Sequence, residues 1–148
     1  TTLNGVIKWH ITTKTPLWTR DGRVGGLAGV TREFENDQNT LLQHPVLGKV
    51  IDHINRHYSR TLSSRELASV AGISISALGR NFKKCFHLTP VQYINRCRVS
   101  HACNLLSNTD TPIASIASEC GFFDQSHFSR TFQSILHASP GAYRKRYR

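Results

Sequence analysis

Two periodicities divide this chain of 148 residues. Towards the amino end the apolar positions alternate, with Ile7, Trp9 and Ile11 set against Lys8, His10 and Thr12, which is the two-residue period of a half-buried strand. Arg20-Asp21-Gly22-Arg23 is a turn signal and a second extended run follows to Phe34, so residues 1–34 predict a β-hairpin. A lone hairpin is marginally stable in water, so this one packs on something within the chain or missing from it. The polar run "ENDQNTLLQ" then reads as a linker over residues 35–44.

From Pro45 the spacing becomes helical. Val46, Val50, Ile51 and Ile54 make one apolar face of a helix that starts at Pro45, a residue suited to a first turn, and ends near Tyr58. "LSSRELASVAG" opens a second helix, with Ser63 as cap, Glu66 three residues on as a capping box, and Gly72 as its close. A third helix is expected from about Ser74 to Phe86. A longer fourth runs from Thr89 or Pro90 to Leu106, turning Tyr93, Val99, Ala102, Leu105 and Leu106 inward. Thr111, as a cap, and Pro112 open a fifth that closes at Gly121. A sixth runs from about Asp124 to Leu136, and Pro140 to Tyr147 is a short seventh. The expected fold is mainly α, about seven helices preceded by a β-hairpin fragment.

The helical part repeats itself. "RNFKKCFHLTPVQYINR" from Arg80 is answered by "RTFQSILHASPGAYRKR" from Arg130, with Arg, Phe, His, Pro, Tyr and Arg in step at an offset of 50. Upstream, "ELASVAG" answers "SIASECG" at an offset of 49. Each unit is a short helix, a Gly-centred turn and a second helix, about 63–86 and about 112–136. That is the pattern of a helix-turn-helix, whose second helix enters the DNA major groove. At about 100° per residue, Leu78, Phe82 and Cys85 share one side, as do Phe128, Phe132 and Ile135. Arg80 and Arg130 then project almost opposite. Ser76, Gly79 and Lys83 share the outer side of the first unit; Ser126, Ser129 and Gln133 share that of the second. An outward arginine suits bidentate contact to guanine or to phosphate. Singly it is more often a solvated charge; the same register in two units favours DNA contact.

Charge supports this direction. The chain has 19 Lys and Arg against 9 Asp and Glu, for a net charge of +10. Residues 1–44 hold 5 basic and 4 acidic side chains, whereas residues 45–148 hold 14 and 5, so the excess sits with the repeat. A basic half predicts a polyanion partner, nucleic acid before a membrane surface. No apolar run approaches the roughly 18 residues of a membrane span, and the amino end lacks a signal-peptide pattern, so a cytoplasmic protein is expected. Cys85, Cys97, Cys103 and Cys120 form no CxxC pair and read as small buried or half-buried thiols of a reducing compartment. No metal, cofactor or catalytic residue is expected: GxSxG, P-loop, HExxH and paired-carboxylate patterns are all missing from the sequence.

"LASVAGISISALGRNFKKCFHLTPVQYINRCRVSHACNLL" and "IASIASECGFFDQSHFSRTFQSILHASPGAYRKR" together resemble the DNA-binding domain of AraC/XylS-type bacterial transcription regulators. The resemblance covers residues 46–147. It implies two helix-turn-helix subdomains joined by the long fourth helix and reading adjacent major-groove segments, within a domain spanning 45–148. By position, it gives Ser76, Gly79 and Arg80 to the first reading helix and Gln125, Ser126, His127 and Arg130 to the second. Phosphate contacts are expected from Lys83, Lys84 and the amino ends of helices near Ser63 and Thr111. His87 and His137 depart together from the family's usual Gly, so the left-handed turn there must tolerate His or be reshaped. They read as matched structural residues rather than a metal pair. The hairpin is similar to the last strands of a PAS sensor domain, including "DGRVGGLAGVTR", over about a third of such a domain; an arm packed on the helical domain is the alternative.

The function expected is a sequence-specific transcription regulator whose partner is double-stranded DNA, with RNA polymerase and a second copy, joined through the missing sensor region, as further candidates. The competing class is a signalling or dimerisation adaptor with weak, non-specific DNA binding. A repair enzyme with an alkyl-accepting cysteine would need a zinc-bound cysteine cluster, for which the spacing is wrong.

Overall fold

The computed structural model describes residues 2–3, 6–7, 9–18, 24–34 and 45–147, with side chains from Pro45 onward. The chain divides into two compact units, Thr1–Leu41 and Leu42–Arg148. In the first, β1 (Thr2–Leu3) pairs with β2 (Val6–Ile7), and β3 (Trp9–Trp18) pairs antiparallel with β4 (Val24–Phe34). The long pairing runs from Trp9 opposite Phe34 to Pro16 opposite Leu27, with a register irregularity at Leu17/Trp18. Pro16 donates no backbone hydrogen bond, which a strand at a sheet edge can tolerate. The expected turn at Arg20 to Arg23 and the linker over 35–44 lie outside the described residues.

The second unit is helical: α1 (Pro45–His57), α2 (Ser64–Ala71), α3 (Ile75–Phe86), α4 (Pro90–Asn108), α5 (Ile113–Glu119), α6 (Gln125–Leu136) and α7 (Pro140–Tyr147). Sequence periodicity anticipates all seven, with ends within two residues. Caps account for several boundaries. Ser74 and Asp124 each accept a backbone N–H three residues on, from Ala77 at 3.1 Å and His127 at 2.6 Å, and so start α3 and α6. Thr89 and Gln92 form a reciprocal capping box at the head of α4. The box expected at α2 is half formed: Ser63 accepts from the Glu66 N–H at 3.1 Å, but the Glu66 carboxylate turns away to Arg60 and His53.

Apolar burial makes two clusters on one axle. In the first, α1 contributes Leu47, Val50, Ile51 and Ile54, and α3 contributes Leu78, Phe82 and Phe86, all buried. The second is built on Ile116 of α5, Phe122, and Phe128 and Phe132 of α6. α4 serves both, burying Tyr93 and Ile94 near its start and Val99, Ala102, Cys103 and Leu106 further along. Leu105, expected inside, is only half-buried, while Ile94 is buried beyond expectation and Cys103 is buried as expected of a small thiol.

The sequence repeat is a conformational repeat. His87 and His137 both cap their helices in the left-handed region, at φ 55°, ψ 23° and φ 56°, ψ 24°. The turn tolerates His without reshaping. Fifty residues apart, Phe82 meets Tyr93 edge-on with centroids 5.7 Å apart, and Phe132 meets Tyr143 at 5.5 Å, both at 81°.

The turn after α5 requires glycine for two reasons. Gly121 has φ +82°, and a Cβ there would lie 2.6 Å from the Ser59 carbonyl oxygen. Gly121→Ala is expected to cost at least about 2 kcal/mol, from left-handed strain plus a backbone clash. By contrast, His87→Gly and His137→Gly relieve the strain of a β-carbon at positive φ, and each should stabilise the fold by about 1 kcal/mol. Urea denaturation of the three variants beside the parent chain checks both signs.

Candidate nucleic-acid interface

The outward faces of α3 and α6 are polar because their inward faces take the aromatic and aliphatic residues at helical spacing. Arg80 and Arg130 are exposed at matching positions, and neither makes an ion pair or hydrogen bond among the described residues. Ser76, Lys83 and Lys84 are exposed on the first helix, and Gln125 and Ser126 on the second. Gly79 is half-buried, yet a Cβ there would meet nothing within 4 Å, so the backbone of α3 is open to close approach at this point. His127 is half-buried, its ring edge-on to Phe122 at 5.5 Å, which ties this candidate partly to the core.

The two expected helix-end contacts differ. Ser63 is exposed and caps α2. Thr111 is not the cap of α5, correcting the expectation: the N-cap is Pro112, which offers no side-chain hydrogen bond. The helix starts one residue later than a Thr cap requires. Thr111 lies half-buried before it, its hydroxyl 3.1 Å from that of Thr109 and its carbonyl accepting from Arg144 Nη2.

What holds the two outward faces in one arrangement is a contact that periodicity did not single out. Arg98 of α4 donates from Nε to the Tyr58 carbonyl at 2.8 Å and from Nη2 to the Arg60 carbonyl at 2.9 Å. Its guanidinium also lies 5.7 Å from the centroid of Phe122, in the turn leading to α6. The α1–α2 turn is thus fastened to the turn of the second unit, where Ser59 meets Gly121. Stacking of Tyr58 on His101 of α4, at 3.9 Å and 3°, adds to the join. A signal was present: Arg98 stands four residues from both Ile94 and Ala102, on the buried stripe of α4. Phe123, 94% exposed directly before the Asp124 cap, was also passed over; a lone aromatic among polar loop residues was its signal.

Electrostatics elsewhere in the domain are local. Glu66 takes hydrogen bonds from Arg60 and lies 2.7 Å from His53 Nε2, and these partners lower its carboxyl from an ordinary 4.5 to about 2. All four cysteines are free. Burial pushes the thiols of Cys97 and Cys103 up to about 12 and that of Cys120 to about 11, which suits packing and not nucleophilic use. Among the described residues no group of His, Cys, Asp or Glu is placed to hold a metal ion, and no helix is long and apolar enough to cross a membrane.

A family model described as a helix-turn-helix domain matches residues 67–146 and so leaves out the amino-terminal strands. Among curated proteins, the transcriptional activator RhaS of Enterobacter sp. (strain 638) is 35% identical over 94 residues, 64% of this chain and 34% of that protein. A helix-turn-helix-type transcriptional regulator of Staphylococcus aureus is 33% identical over 115 residues, 78% of this chain but 15% of its own length. The chain therefore spans about a third of one of these relatives and less of the other. Among solved structures, the DNA-binding domain of AdpA in complex with a target DNA is similar, with TM-score 0.65 and 29% identity over 69% of this chain and 92% of that one. So is a Chromobacterium violaceum regulator with an AraC-type DNA-binding domain, at TM-score 0.68 and 28% identity, covering 71% and 94%.

The depressed carboxyl of Glu66 sets a pH dependence. A carboxyl lowered on folding stabilises above its unfolded value, and that stability is lost as pH falls from about 4.5 through about 2. The melting temperature of the parent chain should fall across this window, and Glu66→Gln should remove the Glu66 share of the fall while lowering stability near neutral pH. Thermal melts followed by circular dichroism between these limits make the comparison.

Proposed function

This chain belongs to the AraC-type helix-turn-helix family, and on that premise we propose that it is a sequence-specific transcription regulator. Its partner is double-stranded DNA, read through adjacent major-groove segments by α3 and α6. The observation that carries the reading is the pair Arg80 and Arg130, presented outward and unpaired at the same register of two units. Specificity rests on these arginines with Ser76 and Gly79 on α3 and Gln125, Ser126 and His127 on α6. Helix residues near the entering end meet base edges in this mode of docking. Affinity rests on phosphate neutralisation by Lys83 and Lys84, helped by the amino end of α2 at Ser63 and the segment at Thr111. A serine and a glycine give α3 little reach beyond Arg80, so the second unit carries more of the base reading.

Recruitment of RNA polymerase and pairing of two copies would belong to the whole regulator, of which this chain has the length of a part. The likeness of the hairpin to the end of a PAS sensor rests on its sequence alone. A regulator of this kind works without catalysis and within the compartment that holds the DNA.

Arg80→Ala and Arg130→Ala should each weaken binding to a specific duplex by ~1–3 kcal/mol and relax selection at the base pairs they face. The site is found by selecting bound sequences from random duplexes. Unchanged affinity in both variants would sink the reading and leave the adaptor class. Arg98→Ala should act differently. The parent chain should lose binding when one base pair is inserted between the two halves of the site, and the variant should lose less, since its units are no longer held in one phase. Competition assays on the two duplexes measure this, and equal penalties in both proteins would remove the positioning role.

A further inference from the structure

Between the second reading helix and the start of α4 lies a cleft of about 490 Å³. Gln92, Asn95 and Arg96 line it from α4, and Arg130, Thr131 and Ser134 from α6. These sets lie three and four residues apart on their helices, so each presents one continuous flank. Every one of these side chains carries a hydrogen-bond donor, and no carboxylate lines the cleft. Leu88 and Ile135 add apolar lining.

Arg96 makes the arrangement informative. It is half-buried, with no ion pair or hydrogen bond among the described residues, and it faces the same cleft as the equally unpaired Arg130. Two guanidinium groups around a donor-rich hollow without an acid leave a positive potential that only an anion can neutralise. Planar guanidinium forks fit oxyanions with paired N–H groups, and amide and hydroxyl donors complete the shell.

We propose that this cleft is an oxyanion site, with Arg96 as its anchoring residue, that takes a phosphate-type group between α4 and α6. Two sources share that chemistry. One is a backbone phosphate of DNA lying where the duplex passes from one reading helix to the other, a source that rests on the DNA-binding reading above. The other is a small phosphorylated molecule; at about 490 Å³ the cleft has the size of small-molecule sites. A molecule bound there would occupy Arg130 and so compete with base reading.

The test uses the full chain, its selected duplex, and the variants Arg96→Ala, Arg96→Gln and Arg96→Lys. Affinity is measured against salt, and on duplexes carrying one uncharged methylphosphonate linkage at successive positions between the two halves of the site. Inorganic pyrophosphate is titrated calorimetrically without DNA. For a backbone phosphate, Arg96→Ala and Arg96→Gln lower the salt slope by about one. One neutral linkage then weakens the parent chain several-fold and leaves these variants unchanged, while Arg96→Lys retains part of the response. For a free ligand, pyrophosphate binds the parent chain, displaces DNA in competition and fails to bind Arg96→Ala. If salt slope, linkage response and pyrophosphate binding are the same in the parent chain and all folded variants, the proposal is overturned. A parent chain that selects no DNA sequence overturns the DNA reading instead, and the pyrophosphate titration still decides the cleft.

Discussion

The helical domain depends on one join, where two turns far apart in sequence meet beside a half-buried arginine. Each helix-turn-helix unit has its own apolar cluster and could be oriented in many ways about α4. Arg98 removes that freedom by spending its donors on the carbonyls of Tyr58 and Arg60 while its face rests near Phe122. These are turn carbonyls that no helix satisfies, so the guanidinium supplies partners that the backbone there lacks. Close approach of Ser59 to Gly121 is what the join demands in return, since no β-carbon fits between them. A recognition surface in two parts is specific only when the distance and phase between the parts are fixed. The clamp, distant from the outward faces in sequence, is therefore part of their geometry.

The duplicated architecture shows which features of a unit are tied to its geometry and which are free. Aromatic pairs and the left-handed residue after each reading helix recur with nearly equal angles and distances. The outward residues recur only in part: Ser76 and Arg80 are matched by Ser126 and Arg130, but Gly79 and Lys83 stand where the second unit has Ser129 and Gln133. The inward half of each helix answers to packing, which is the same problem twice. The outward half answers to two different stretches of whatever lies against it. His87 and His137 fall on the packing side of this division, because their backbone angles match within about one degree while their side chains are exposed. Two histidines carry strain that glycine would avoid, and a hydrogen bond from each backbone N–H to the carbonyl four residues back offsets part of it.

Most of the helical fold was legible because each helix announces itself locally. Val46 to Ile54 mark α1 by their period, Ser74 and Gly72 bracket the first turn, and Pro90 and Pro140 open helices after a Thr or Ser cap. The register of Arg80 and Arg130 followed from the same arithmetic. Three things did not follow, each for a non-local reason. Thr111 looked like a cap because Thr precedes Pro, but the segment is pulled into contact with Arg144, 33 residues away. Glu66 looked like half of a capping box, but Arg60 and His53 from outside the helix outbid the Ser63 N–H for its oxygens. Arg98 resembled any surface charge on a long helix until its partners 38 and 40 residues upstream were placed beside it. Local pattern fixes elements and faces; competition between partners distant in sequence decides which local option is taken.

Charge distribution connects the fold to its use. The helical part contains only five acidic side chains. Glu66 serves the α1–α2 join, Asp52 pairs with Arg56 within α1 at 3.9 Å, and Asp124 is committed to the α6 cap. None of these three pairs with the cations on the outward faces of α3 and α6. Arg80, Lys83, Lys84 and Arg130 stand exposed without an ion pair among the described residues. Had the acids been spread evenly, surface ion pairs would have changed stability little, since each contributes roughly 1 kcal/mol or less. Committing Glu66 to a join and Asp124 to a cap costs the fold almost nothing and leaves two faces whose charge a polyanion can neutralise.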